Sequence, residues 1–82
     1  MQKINFYTKL NCHLCDQAYL LLMEVALEHT LEIDVVDITH AHNQLEAKYG
    51  ERIPVIAIPE ADTELSWPFT GDDIRAYLNW QL

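Results

Sequence analysis

The stretch Phe6-Tyr7-Thr8-Lys9-Leu10-Asn11-Cys12-His13-Leu14-Cys15 decides the fold, because it runs from strand pattern through a polar connection into a helix start. Upstream, Lys3-Ile4-Asn5-Phe6-Tyr7 alternates apolar and polar side chains, the period of a half-buried strand. Thr8 to Asn11 is the connection, and a helix opens near Cys12. From Leu14 to His29 the residues Leu14, Ala18, Leu21, Leu22 and Val25 recur at helical spacing. Tyr19, Leu20 and Met23 widen that apolar face, so this helix is expected to be largely covered.

Outward from this unit, Leu31, Ile33 and Val35 alternate with Glu32 and Asp34, and Val36 and Ile38 extend a second strand. Asn43-Gln44-Leu45-Glu46 has the capping-box pattern of a short helix that Gly50 is placed to end. Ile53-Pro54-Val55-Ile56-Ala57-Ile58 reads as a third strand. Pro59 to Thr63 is turn material, and Glu64 to Phe69 reads as a fourth strand. Thr70-Gly71-Asp72-Asp73 starts a last helix, with Ile74, Tyr77, Leu78 and Trp80 on its apolar face. The order β-α-β-α-β-β-α predicts an α/β fold: a mixed four-stranded sheet with helices on both faces, its first two strands parallel.

Eighty-two residues of ordinary globular composition make one domain, spanning 1–82. Five basic residues against thirteen acidic ones give a net charge of −8, which argues against nucleic acid and against an anionic membrane surface. The longest apolar run, Ala18 to Leu27, is half a membrane span, and the N-terminus lacks the apolar core of a signal peptide. A cytoplasmic monomer is the expectation. Two cysteines are too few for a disulfide scaffold, and in a reducing compartment a close pair is more often redox-active or metal-binding.

Cys12 and Cys15 lie three apart where strand gives way to helix, which puts both sulfurs on one helical face within bridging reach. Cys12, at the start, meets the free N–H groups and the positive end of the helix dipole, which favour a thiolate. Cys15, one turn in, is the more covered thiol and would resolve a mixed disulfide. Zinc sites use C-x-x-C as well, and a cysteine pair on an inert binding fold is a third reading. His40 and His42 would be needed to complete a zinc set, but their spacing fits a polar loop better. His29 is placed to complement a helix C-terminus, and Trp67 and Trp80 are expected in packing roles.

Phe6-Tyr7-Thr8-Lys9 before the Cys-x-x-Cys, together with Ile53-Pro54-Val55 downstream, resembles the glutaredoxin family over essentially the whole chain. The likeness is nearest to the small bacterial glutaredoxin-like domains. It implies a thioredoxin fold and thiol–disulfide exchange, with Cys12 attacking and Cys15 resolving. It also implies a cis Pro54 opposite Cys12, leaving the backbone of Ile53 free to pair with an extended substrate. Lys9 matches a cation for a glutathione carboxylate, and Gly71 and Asp72 would offer N–H groups to a γ-glutamyl carboxylate. Glutathione would be a cosubstrate, protein disulfides are the other partner class, and no bound cofactor or metal is implied.

The chain departs from the family pattern in two places. His13 stands where proline is usual; a protonated imidazole there would stabilise the Cys12 thiolate, while Asp16 opposes it. Thr70 stands where a glycine is usual, and Asp72, Asp73 and the net charge oppose an anionic substrate. Capping accounts for Thr70, Asp72 and Asp73 equally well.

Overall fold

The computed structural model describes residues 2–39, 45–50, 52–59 and 61–80. Its elements are β1 (Gln2–Thr8), α1 (His13–Ala26), β2 (Leu31–Asp37), α2 (Leu45–Tyr49), β3 (Val55–Ala57), β4 (Glu64–Ser66) and α3 (Gly71–Trp80). The four strands form one sheet in the order β2-β1-β3-β4. β1 and β2 are parallel, from Gln2 opposite Leu31 to Thr8 opposite Asp37. β3 runs antiparallel to β1, and β4 antiparallel to β3. The expected mixed sheet is therefore the observed one.

Strand parity distributes the core between two faces. Ile4 and Phe6 from β1, Ile56 from β3 and Leu65 from β4 share one face with Ala18, Leu22 and Val25 of α1 and Ile74 and Leu78 of α3. On the opposite face Ile38, Tyr49 and Val55 form a smaller cluster with Tyr7 and Ile53 against it. Ile4, Leu22, Ile56, Ile74 and Leu78 are almost wholly removed from solvent. Each contributes on the order of 1.5–3 kcal/mol of apolar transfer free energy.

Strand lengths differ from the sequence reading for reasons of hydrogen bonding. β3 begins at Val55 rather than Ile53, because Pro54 has no N–H and the N–H of Ile53 donates to the Tyr49 carbonyl at 3.1 Å. It ends at Ala57 because the Ile58 N–H turns to the Tyr77 hydroxyl, 3.1 Å away. That hydroxyl in turn donates to the Thr63 carbonyl at 2.8 Å, so one buried tyrosine pins the β3–β4 connection to α3. β4 stops at Ser66 rather than Phe69: Trp67 still donates to the Pro54 carbonyl at 2.9 Å, but Pro68 carries no donor.

Two helix expectations also change. α1 closes at Ala26, so His29 lies three residues beyond it in the turn. More consequentially, α1 is not largely covered. Cys15, Ala18, Leu22 and Val25 are buried, but Leu14, Tyr19, Leu20, Met23 and the following Leu27 stand exposed. β2 is the last strand on this side, and no described element lies beyond it to cover the wider apolar face. The Asn43 and Gln44 cap expected for the short helix falls outside the described residues, as do His40 and His42. No described helix is long and apolar enough to cross a membrane.

Candidate redox site

Asn11 sets the site up. Its φ of 62° is left-handed, a conformation that asparagine tolerates better than most residues, and it turns the chain from β1 into α1. Cys12 is then the N-cap of α1, with extended φ −104° and ψ 103°. Its sulfur accepts the Cys15 N–H at 3.1 Å, the place a serine or aspartate oxygen takes in other helices. The two cysteines are joined by a disulfide, with Cα atoms 5.2 Å apart. Cys12 is partly exposed, whereas Cys15 is 3% exposed and packs in the main core. The pair is thus asymmetric: one sulfur at the surface over helix N–H groups, the other beneath it.

His13 and Asp16 occupy the first turn of α1 and are exposed. Lys9 is exposed in the β1–α1 loop, and it is the cation of that loop. The Ile53–Pro54 bond is cis, as the family resemblance implied. Trp67–Pro68 is cis as well, which the sequence did not announce. Ile53 and Cys12 both pack against the same core cluster. The backbone of Ile53 is less free than expected, since its N–H is spent on the Tyr49 carbonyl; its carbonyl has no hydrogen bond among the described residues.

Tyr49 is the positioning residue that sequence reading missed. Its carbonyl accepts from both Arg52 and Ile53, fixing the approach to Pro54. Its ring stacks on Tyr7 at 4.5 Å, and its hydroxyl donates to Glu64 Oε2 at 2.8 Å. Arg52 bonds the other oxygen of Glu64, and also the Ser66 hydroxyl at 3.0 Å. Burial raises the Tyr49 phenol, and its bond to Glu64 adds to the effect. Burial alone would raise Glu64 too, but the hydrogen bonds from Arg52 and Tyr49 outweigh it and hold that carboxyl below its ordinary value. The one advance signal was an aromatic residue at the end of a short helix just before Ile53-Pro54.

At the start of α3, Thr70 and Asp73 close a reciprocal capping box. The Thr70 N–H donates to Asp73 Oδ2 at 2.8 Å, and the Asp73 N–H donates to Thr70 Oγ1 at 3.1 Å. Asp72 turns to Arg75 at 2.8 Å, and Arg75 also forks onto both oxygens of Glu28 at 2.6 and 2.9 Å, tying α3 to the turn that follows α1. This fork is the leading cause that lowers the Glu28 carboxyl. Gly71 has no positive φ, so the backbone makes no demand for glycine there. Among the described residues no cluster of three or more His, Cys, Asp or Glu side chains could hold a metal ion.

A thioredoxin-fold domain with a Cys-x-x-Cys pair capping its first helix is the class that this fold and site define. Residues 3–79 match the family model described as "Glutaredoxin-like domain (DUF836)", and the chain belongs to that family. It is similar to protein XcR50 from X. campestris, solved by X-ray crystallography, at 35% identity and a TM-score of 0.80 over 94% of this chain and 96% of that one. Protein Ne2328 from Nitrosomonas europaea, solved by NMR, shares 31% identity with a TM-score of 0.74, over 93% of this chain and 89% of the other. Thioredoxin 1 from Thermosipho africanus, at 17% identity and a TM-score of 0.67 over 96% and 97% of the two chains, shares the fold. Comparison with curated proteins found no match.

Proposed function

We propose that the protein is a thiol–disulfide oxidoreductase in which Cys12 is the nucleophile and Cys15 the resolving thiol. The observation that carries this reading is the asymmetry of the pair: Cys12 partly exposed at the N-cap of α1, and Cys15 buried one turn below. The Cys12 thiolate attacks one sulfur of a substrate disulfide; that bond breaks, one substrate thiolate leaves, and a mixed disulfide forms. Cys15, deprotonated, then attacks the Cys12 sulfur and releases the second substrate thiolate. The substrate gains two electrons and the protein is left with the Cys12–Cys15 disulfide. The N–H groups of the first turn of α1, that of Cys15 among them, favour a thiolate at Cys12.

The substrate strand would lie against Ile53 and Pro54, using the Ile53 carbonyl, with Lys9 as the cation for a carboxylate and His13 tuning Cys12. Gly71 and Asp72 keep N–H groups that could meet a second carboxylate. However, the Thr70 and Asp73 N–H groups are already taken by the capping box, and Asp72 and Asp73 repel an anion. Protein disulfides are therefore the favoured substrates, and glutathione the weaker cosubstrate for returning the pair to the dithiol. The chemistry needs no bound cofactor and fits a reducing compartment such as the cytoplasm.

The test is to equilibrate the protein in dithiol–disulfide buffers and to measure turnover of a protein disulfide with glutathione or a dithiol as reductant. A reversible two-electron transition with turnover supports the reading. A pair that equilibrates with the buffer but turns over no protein disulfide would instead make this a binding module.

A further inference from the structure

The uncovered half of α1 leaves an apolar surface that extends away from the cysteine pair. Between α1 and β2 runs an open groove of about 600 Å³ that starts beside Cys15 and is walled by the apolar Phe6, Leu10, Tyr19, Leu20 and Val35. Leu20 is 67% exposed and Val35 52%, so this is accessible apolar surface of the kind that marks interaction sites. Its outer wall is β2, seven residues long and at the sheet edge, with no described strand beyond it. The opposite edge strand, β4, has three residues. A long, flat, unpaired edge is a template for another strand unless charge guards it.

The charge here is one-sided. Register with β1 puts Leu31, Ile33, Val35 and Asp37 on the groove side, and Glu32 and Asp34 on the other. Glu32 and Asp34 are exposed, and neither forms an ion pair with a described residue. Lys3 lies opposite Glu32 and Lys9 lines the groove, but Asp16 and Asp37 line it too, so acids outnumber cations around the strand. Two copies pairing β2 with β2 would bring Glu32 and Asp34 of each together, in chains already at −8 apiece. Self-association is the disfavoured occupant.

We propose that the β2 edge and its groove form a docking site for an extended cationic peptide, which adds to the sheet as a further strand. Its apolar side chains enter the groove beside Val35 and Leu20, and its alternate lysines or arginines lie beside Glu32 and Asp34. Main-chain hydrogen bonds supply affinity, and the two-residue alternation supplies specificity. The groove reaches Lys9 and Cys15 at one end, but Leu20, Glu32, Asp34 and Val35, which carry the docking, have no part in the exchange chemistry proposed above.

The experiment titrates the oxidised 82-residue protein with a short peptide alternating lysine and valine, and with its glutamate–valine counterpart. Backbone amide NMR locates the binding. The expected result is shift changes concentrated in residues 31–37 and along the groove, with the lysine peptide at least about tenfold tighter. Asp34→Lys should weaken it about tenfold or more through charge. The neutral double variant Leu20→Ser with Val35→Ser should do so through the groove, while both variants keep wild-type exchange at Cys12. Equal affinity for the two peptides, shifts confined to another face, or unaltered binding by the double variant would overturn the proposal. So would sedimentation showing that β2 is occupied by a second copy.

Discussion

The Cys15 backbone N–H points at the Cys12 sulfur from 3.1 Å, so the proposed nucleophile is also the cap of α1. Replacing Cys12 should therefore have separable effects on chemistry and on folding. Cys12→Ser keeps an acceptor of a kind favoured at N-caps, whereas Cys12→Ala removes it. With all proteins reduced, we expect Cys12→Ser to stay near wild-type stability and Cys12→Ala to lose about 0.5–2 kcal/mol. Both should lose disulfide exchange. Urea unfolding under reductant gives the first comparison, and exchange kinetics the second. Equal stability of the two variants would show that the sulfur does not cap α1.

Cys15 lies beneath Cys12, in the core, at 3% exposure. Cys15→Ser should therefore stop resolution without stopping attack, and the mixed disulfide between Cys12 and substrate should accumulate. Intact-mass spectrometry would read the adduct directly. In the reduced wild type, limiting alkylation followed by peptide mapping should label Cys12 first. Preferential labelling of Cys15 would reverse the two roles.

The elements that were legible in the sequence are those whose periodicity matches their burial. Lys3 to Tyr7 alternates, and Ile4 and Phe6 do face the main core while Tyr7 faces the other cluster. Strand ends were not legible, because they depend on distant partners: the Ile58 N–H finds Tyr77, nineteen residues away. The cysteine spacing located the disulfide-bonded pair. By contrast, the engagement of the Ile53 N–H by Tyr49 follows from how α2 meets β3, which no local pattern encodes. The apolar width of α1 was read as burial; only the sheet order shows that nothing described covers its far side.

The start of α3 separates capping from substrate binding. Thr70 exchanges hydrogen bonds with Asp73, so Thr70→Ala should cost about 0.5–2 kcal/mol and Thr70→Gly only a few tenths. At Gly71 a methyl group would come 3.3 Å from the guanidinium of Arg75, the far end of a flexible side chain. Gly71→Ala should then change stability by no more than about 0.5 kcal/mol. If glutathione-linked turnover nevertheless falls in Gly71→Ala, a substrate carboxylate approaches that N–H closely. Unchanged turnover would remove Gly71 from the binding site.

Glu64 links the pH dependence of stability to the residues that support Pro54. Arg52 and Tyr49 both bond its carboxylate and hold its proton affinity below the ordinary glutamate value of 4.5, against the opposing effect of burial. A carboxyl lowered on folding contributes stability that is present above its unfolded value and is lost as pH falls through the folded one. Glu28, lowered by Arg75, acts in the same direction. Stability should therefore be level near neutrality and decline as pH drops below about 4.5. Glu64→Gln keeps an oxygen for the Tyr49 hydroxyl but loses the charge that faces Arg52. Because Arg52 is 42% exposed, that loss is screened, and we expect about 0.2–1 kcal/mol at neutral pH. The difference between wild type and variant should shrink towards zero in acid, where the wild-type carboxyl is itself neutral, and it should also shrink in high salt. Urea midpoints measured from pH 7 down to pH 3 would show both trends. A difference that stays constant across that range would mean that Glu64 supports the fold by shape and hydrogen bonding alone, not by charge.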